Sequence, residues 1–182
     1  MKEDILLHSC CAPCLTVAEE KLQSNSNLTI FWYNPNIEPM AEHAKRFETL
    51  KSYLEKSGHR DRLDNFEYDY QKENALWHQF IEGTENEPEG GERCIKCIEF
   101  RLRKTAMEAN RLDCEFTTTL TTSPHKNATA INQIGQKIEK EIGPSFLFFD
   151  FKKNDGYKRS IELSRFYSLY RQGYCGCEYS RR

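Results

Sequence analysis

No stretch of this chain approaches the roughly 18 apolar residues of a membrane span. Its start offers only a three-residue apolar run, Ile5 to Leu7, behind Lys2, Glu3 and Asp4. Neither a spanning helix nor a secretory leader is therefore expected, and the sequence reads as cytoplasmic with no membrane partner. Internal repeats and low-complexity segments are lacking too. So is a strong charge of one sign: the net charge is −2, far from the basic footprint of a dedicated nucleic-acid binder. At 182 residues the chain can bury a full core as one domain, 1–182, without disulfide staples.

What the chain has in plenty is cysteine, eight in all. Seven fall in three tight groups: Cys10, Cys11 and Cys14; Cys94 and Cys97; Cys175 and Cys177. Core cysteines come singly at helix or strand spacing, so grouping of this kind points to a metal centre or a redox couple. One pair from each of the first two groups would give the four thiolates of a [4Fe–4S] or a structural zinc site. Cys11-x-x-Cys14 facing Cys94-x-x-Cys97 would serve zinc equally, and thiolates suit both metals. Cys175-Gly176-Cys177 would close a very small, strained ring as a disulfide, the kind that is labile or catalytic. Two further metal ligands or two free thiols would fit the same spacing. Cys114 stands alone and reads as an inert packing thiol.

Five apolar or β-branched runs alternate with helical patterns. Strands are expected at Ile5–His8, Leu28–Tyr33, Asn65–Tyr70, Glu115–Leu120 and Phe146–Phe151. Helices are expected over Ala12–Leu22, Pro39–Lys56, Asn74–Ile81, Cys97–Asn110, Ala128–Ile142 and Ser160–Gln172, with a Gly-rich acidic loop over Gly83–Arg93. That alternation predicts an α/β domain with a mostly parallel sheet. Ligand sites in such sheets lie beyond the carboxyl ends of the strands, where Cys10, Asn34, Asp69, Thr117–Thr119 and Asp150 fall.

Other polar residues carry weaker signals. Asp69 and Asp150 suit either a metal or a helix cap. His8 and His125 flank the site loops as hydrogen-bonded residues, while His43, His59 and His78 read as surface. Trp77 reads as core, and Tyr157 and Tyr174 as packing or base-stacking residues. Residues 152–182 hold eight Lys or Arg against three Asp or Glu, a balance of +5 on a body of −7. By charge alone a solvated basic face is the better account, with an anionic partner as the sharper one.

Seven segments together resemble the QueH-type epoxyqueuosine reductase family: LLHSCCAPC (6–14), YNPNIEP (33–39), PEGGERCIKC (88–97), RLRKTA (101–106), TTTLTTSPHKN (117–127), DFKKNDGYKRS (150–160) and LYRQGYCGC (169–177). The resemblance implies an oxidoreductase that reduces epoxyqueuosine to queuosine at the tRNA wobble position, without cobalamin. It implies a Rossmann-like fold similar to adenine nucleotide alpha-hydrolase-like (HUP) domains, with the first cysteine run where a phosphate loop would be. It implies Cys10, Cys11, Cys94 and Cys97 as [4Fe–4S] ligands and Cys175 with Cys177 as a redox-active pair. A second mononuclear metal, iron, is implied as well, for which Cys14 and Asp69, then Asp150, are the candidates. Substrate tRNA would meet Lys126, Lys152, Lys153, Lys158, Arg159 and Arg171, and an electron donor that the sequence does not identify would restore the enzyme. A zinc-stabilised RNA-binding module and a general thiol–disulfide reductase are the alternatives from other classes. Iron and sulfide analysis separates zinc from iron–sulfur.

Overall fold

Successive residues of a strand face opposite sides of its sheet. Ile5, Leu6 and Leu7 are all essentially inaccessible, so their strand must be covered on both sides, as in a parallel sheet. In the computed structural model, which describes residues 2–181, this strand is β1 (Glu3–His8). It lies at the centre of a sheet ordered β2-β1-β3, between β2 (Ser26–Phe31) and β3 (Glu115–Thr118), both parallel to it. The register sets Leu7 opposite Ile30 and Thr117, and His8 opposite Phe31 and Thr118.

One face of the sheet presents Ile5, Leu7 and Ile30 to Leu15 and Leu22 of α1 (Ala12–Leu22) and to Leu50 and Leu54 of α2 (Met40–Lys56). The other presents Leu6, Phe31 and Phe116 to Leu102 and Ala106 from one helix and to Ile131 and Ile138 from another. Those two are α4 (Glu92–Leu112) and α5 (Ala128–Ile142). Before them runs α3 (Tyr70–Ile81), and after them α6 (Gly156–Phe166). Burying each such Leu or Phe contributes about 1.5–3 kcal/mol, whereas an exposed ion pair contributes about 1 kcal/mol at most. The two apolar layers therefore decide the architecture. No helix among the described residues is long and apolar enough to cross a membrane.

The five expected strands reduce to three. At the outer positions only single parallel bridges form: Phe146 to Phe116 inside the expected Phe146–Phe151, and Leu63 to Ile30 just ahead of the expected Asn65–Tyr70, which itself forms no strand. Their backbone groups find other partners. The Phe66 amide donates to the Asp64 carboxylate, Asn132 takes the Phe149 carbonyl, and Thr121 takes the Phe151 amide. A ladder whose groups are already bonded elsewhere does not extend.

The last helix also differs from its expected span, Ser160–Gln172. It starts at Gly156, where a Cβ would lie 1.8 Å from the Phe151 carbonyl oxygen. It stops at Phe166, with Ser168 left-handed at φ 53° and the Leu169 amide turned back onto the Ser164 carbonyl at 2.8 Å.

Candidate metal centre

The chain leaves β1 at its carboxyl end and enters α1 at once. Cys11 is the extended residue preceding the helix, and Pro13 sits in its first turn, where a missing N–H costs nothing. This turn gathers the sulfurs of Cys10, Cys11 and Cys14 within 4.8 Å of one another, with Cys10 and Cys11 sulfurs 3.9 Å apart. The Thr119 side chain, just past β3, accepts from the Cys10 amide at 3.1 Å and donates to its sulfur at 3.4 Å.

His8 is fully buried beneath this turn, with Nδ1 2.9 Å from the Thr118 hydroxyl and Nε2 3.2 Å from the Tyr33 carbonyl. Burial, then Arg101, lowers its pKa to about 4. The ring is thus neutral, and donating to the carbonyl requires the Nε2–H tautomer. Asn34 fixes the end of β2 against the same turn by donating to the Ser9 carbonyl at 2.8 Å.

Mutual contacts split the three thiols in acidity. Hydrogen bonds from Cys11 and Cys14 hold Cys10 well below the ordinary thiol range despite its burial. The same contacts push Cys11 up to about 12 and Cys14 well upward. Such a set is a soft donor cluster suited to iron or zinc, since a cation there would allow all three to ionise.

Cys94 and Cys97 stand in the opening turns of α4, which begins at Glu92 rather than at Cys97 as expected. A Cβ on Gly91, which precedes the helix, would come within 3.1 Å of the Pro88 carbonyl oxygen. Buried Arg93 stitches the acidic loop down by donating to the carbonyls of Glu85 and Glu87. The Cys94 sulfur receives the Gly90 amide at 3.2 Å, and Cys97 packs with Trp77, Ile81 and Cys177. Neither belongs to the close trio. Cys14 does, although it was expected beside a separate metal.

Arg101 ties the groups together. It is 3% exposed, donates to the Cys97 carbonyl at 3.3 Å and to Asn34 at 3.4 Å, and has no carboxylate partner among the described residues. Burial works against its charge, yet Cys97, Cys175, Cys10 and Cys94 together stabilise the cation. Sequence reading gave Arg101 no role, although its spacing from Cys97 places both on one helix face.

The C-terminal segment brings the third group. Arg46, 2% exposed, donates to the Cys175 and Tyr174 carbonyls, and Gly176 is seated against Asn36 and Ile37 at φ 145°. The Cys175 sulfur lies 3.0 Å from Lys126 Nζ. Burial would raise this thiol, but Lys126 and Arg101 hold it below the usual range. Cys177 instead is buried, raised by desolvation, and bonded to Ser180.

A cavity of about 700 Å³ opens over Cys10, Cys14 and Cys175. Arg101, Lys126, Arg171 and Arg181 line it against a single carboxylate among the described residues, Glu89. His125, Tyr157 and Tyr174 complete its walls.

The remaining expected residues lie apart from the thiols. Asp69 is exposed and caps α3 by accepting the Lys72 amide at 3.1 Å. Asp150 pairs loosely with Lys152 at 3.7 Å. Lys152 also donates to the Lys126 carbonyl, Lys153 is exposed, and Arg159 is paired with Glu20 and Glu162. Lys158 borders a separate hollow. His43 is not a surface residue but packs among Trp32, Tyr68 and Tyr70. Trp77 is fully buried, as read from the sequence, and Cys114 packs at the edge of the second core layer.

Comparison with known proteins supplies the last observation. A protein-family model described as Epoxyqueuosine reductase QueH matches residues 5–182. Curated proteins of that name include one from Streptococcus pyogenes serotype M1, 38% identical over 100% of this chain and 72% of its own. One from Staphylococcus epidermidis is 37% identical over 97% and 75%. One from Thermotoga maritima is 36% identical over 97% and 89%.

Proposed function

The chain belongs to the QueH family of epoxyqueuosine reductases, oxidoreductases of queuosine biosynthesis, and from that premise we propose how its residues serve the reaction. The substrate is epoxyqueuosine at the wobble position of tRNA, the product queuosine, and the setting the cytoplasm. Removing the epoxide oxygen as water consumes two electrons and two protons and leaves a carbon–carbon double bond. The reading is cobalamin-independent: Cys10, Cys11, Cys94 and Cys97 would hold a [4Fe–4S] cluster, and Cys14 would hold a second, mononuclear iron. Asp69, exposed at its helix cap, is the weaker candidate for that iron. A bound cluster of this type supplies electrons one at a time.

One observation carries the metal reading. Arg101 is a buried guanidinium that donates to the Cys97 carbonyl, shares a cavity wall with Cys10, Cys14 and Cys175, and is unmatched by any described carboxylate. A buried cation without counter-charge costs several kcal/mol. An anionic thiolate-bound centre offsets that cost. Zinc would do so too, but it passes no electrons and so does not serve a reduction.

The chain's own residues divide the remaining work. The cationic cavity wall receives the anticodon backbone, Tyr157 and Tyr174 flank the base, and the Cys175–Cys177 pair is the store of two electrons. The parallel sheet with the cysteine run in the loop after its central strand supports a HUP-like fold. The whole of 1–182 then forms one iron–sulfur domain with a basic C-terminal segment, 152–182.

Anaerobic purification with iron, sulfide and zinc analysis tests the centre, and nucleoside mass spectrometry on an epoxyqueuosine-bearing stem-loop tests the reaction. Wild type should carry iron and sulfide and convert the nucleoside. Cys97→Ser should lose the visible absorption and most of the iron, while Cys114→Ser keeps both. A Cys97→Ser protein with full iron and sulfide removes this residue from the ligand set. Zinc in place of iron overturns the redox reading.

A further inference from the structure

Reduction of an epoxide needs protons delivered to the departing oxygen, and the cavity wall offers few sources. Arg101, Arg171 and Arg181 do not give up protons near neutral pH. His8 lies beneath the cysteine turn with both ring nitrogens engaged. His125 lines the cavity but is exposed and touches no sulfur by its side chain. Lys126 lines the same cavity with its ammonium 3.0 Å from Cys175. The two terminal cysteines differ in address: Cys175 borders the cavity, while Cys177 is buried with Trp77 and Cys97.

We propose that Lys126 is a catalytic acid of the reduction, paired with the Cys175 thiolate at the cavity wall and giving its proton to the epoxide oxygen as the cysteine pair closes to a disulfide. The proposal rests on the reading of Cys175 and Cys177 as the two-electron store. Its balance is complete. The Cys175 thiolate, the Cys177 thiol and the Lys126 ammonium enter, and a disulfide and a neutral amine leave. Both carbon–oxygen bonds of the epoxide break, the double bond forms, and the oxygen departs as water. One of its protons comes from Lys126 and the other from water in the cavity, while the Cys177 thiol releases its own proton to solvent as the disulfide closes. The sulfurs lose two electrons and the two carbons gain them. Net charge is zero on each side, and an external dithiol reopens the disulfide.

The pairing times the transfer. Burial alone would lower the lysine's proton affinity, and the neighbouring thiolate reverses this. Oxidation of Cys175 removes that negative charge, so the ammonium becomes a stronger acid as the oxygen needs its proton.

Lys126→Met and Lys126→Arg separate the two parts of this role, in anaerobically purified protein whose visible absorption matches wild type. The first readout is the pH profile of Cys175 alkylation, followed by peptide mass spectrometry. Arginine keeps a cation beside the thiolate and should leave the profile close to wild type, whereas methionine should move it to higher pH. The second readout is a single turnover on the epoxyqueuosine stem-loop without added reductant. Neither substitute can donate a proton, so both should slow it, by about a hundredfold. Lys126→Arg turning over at the wild-type rate overturns the proposal, as does an unmoved alkylation profile in Lys126→Met. If wild type forms product with no Cys175–Cys177 disulfide, it is the electron-store reading that fails.

Discussion

At His43 a single nitrogen receives two hydrogens. The Trp32 indole N–H lies 3.1 Å from Nε2 and the Tyr68 hydroxyl 2.7 Å from it. An indole nitrogen only donates, so Nε2 must keep its lone pair. Burial and then Arg46 oppose a proton on this ring as well, and its pKa falls to about 4. The sign of the linkage follows. Between pH 6.5 and 4 the unfolded chain binds the proton and the folded one does not, so stability is lost as pH falls through that window. For a partly buried ring the loss attributable to His43 is about 2 kcal/mol. His43→Phe should be less stable at pH 7, where Trp32 loses its acceptor, yet show a shallower fall between pH 7 and 4.5 in urea titrations. Parallel falls in the two proteins would mean that His43 does not titrate on unfolding.

At the scale of elements, α5 carries a glycine in its interior where alanine would raise helix propensity by about 1 kcal/mol. The reason lies across the interface: a Cβ at Gly135 would meet the Phe146 ring at 2.4 Å. That ring is buried and belongs to the residue that bridges to Phe116. Overpacking of this kind costs about 1–3 kcal/mol, so Gly135→Ala should be destabilised by about 1 kcal/mol net. A stabilised variant would show that Phe146 yields freely. The same contact shows where sequence reading succeeds. Ala12–Leu22 and Ala128–Ile142 were legible to the residue because apolar period, Pro13 and the Asn127 cap act locally. The outer strands at 65–70 and 146–151 looked like strands in composition. Their backbone bonds are instead diverted to Asp64, Asn132 and Thr121, through tertiary contacts that composition does not encode. The cysteine groups were legible for the opposite reason, since grouping is itself local. The place of Arg101 and the pairing of Lys126, expected to meet tRNA, with Cys175 were not, because what they touch is brought to them by the fold.

Across the molecule, the positive charges described over residues 152–181 do not form one surface. Arg159 is neutralised by Glu20 and Glu162, Lys152 is turned inward to the Lys126 carbonyl, and Lys158 borders a hollow that also contains Glu20 and Glu162. Arg171, held by Ser164 at 3.0 Å, and Arg181 instead reach the cavity that holds Cys10 and Cys175. An RNA strand that presents its base to those sulfurs must lay its phosphates across this rim, where Arg171 and Arg181 face, among the described residues, the Glu89 carboxylate. Long-range attraction between exposed charges is screened within about 10 Å at moderate salt, so the rim should count for binding and the far hollow should not. Arg171→Glu should weaken binding of substrate stem-loop by about tenfold and make its salt dependence shallower by about one phosphate contact. Lys158→Glu should leave both unchanged. Filter-binding or anisotropy titrations over a range of salt concentrations give both quantities. Equal losses in the two variants would instead describe a diffuse basic tail, with the RNA lying across α6 rather than over the cysteines.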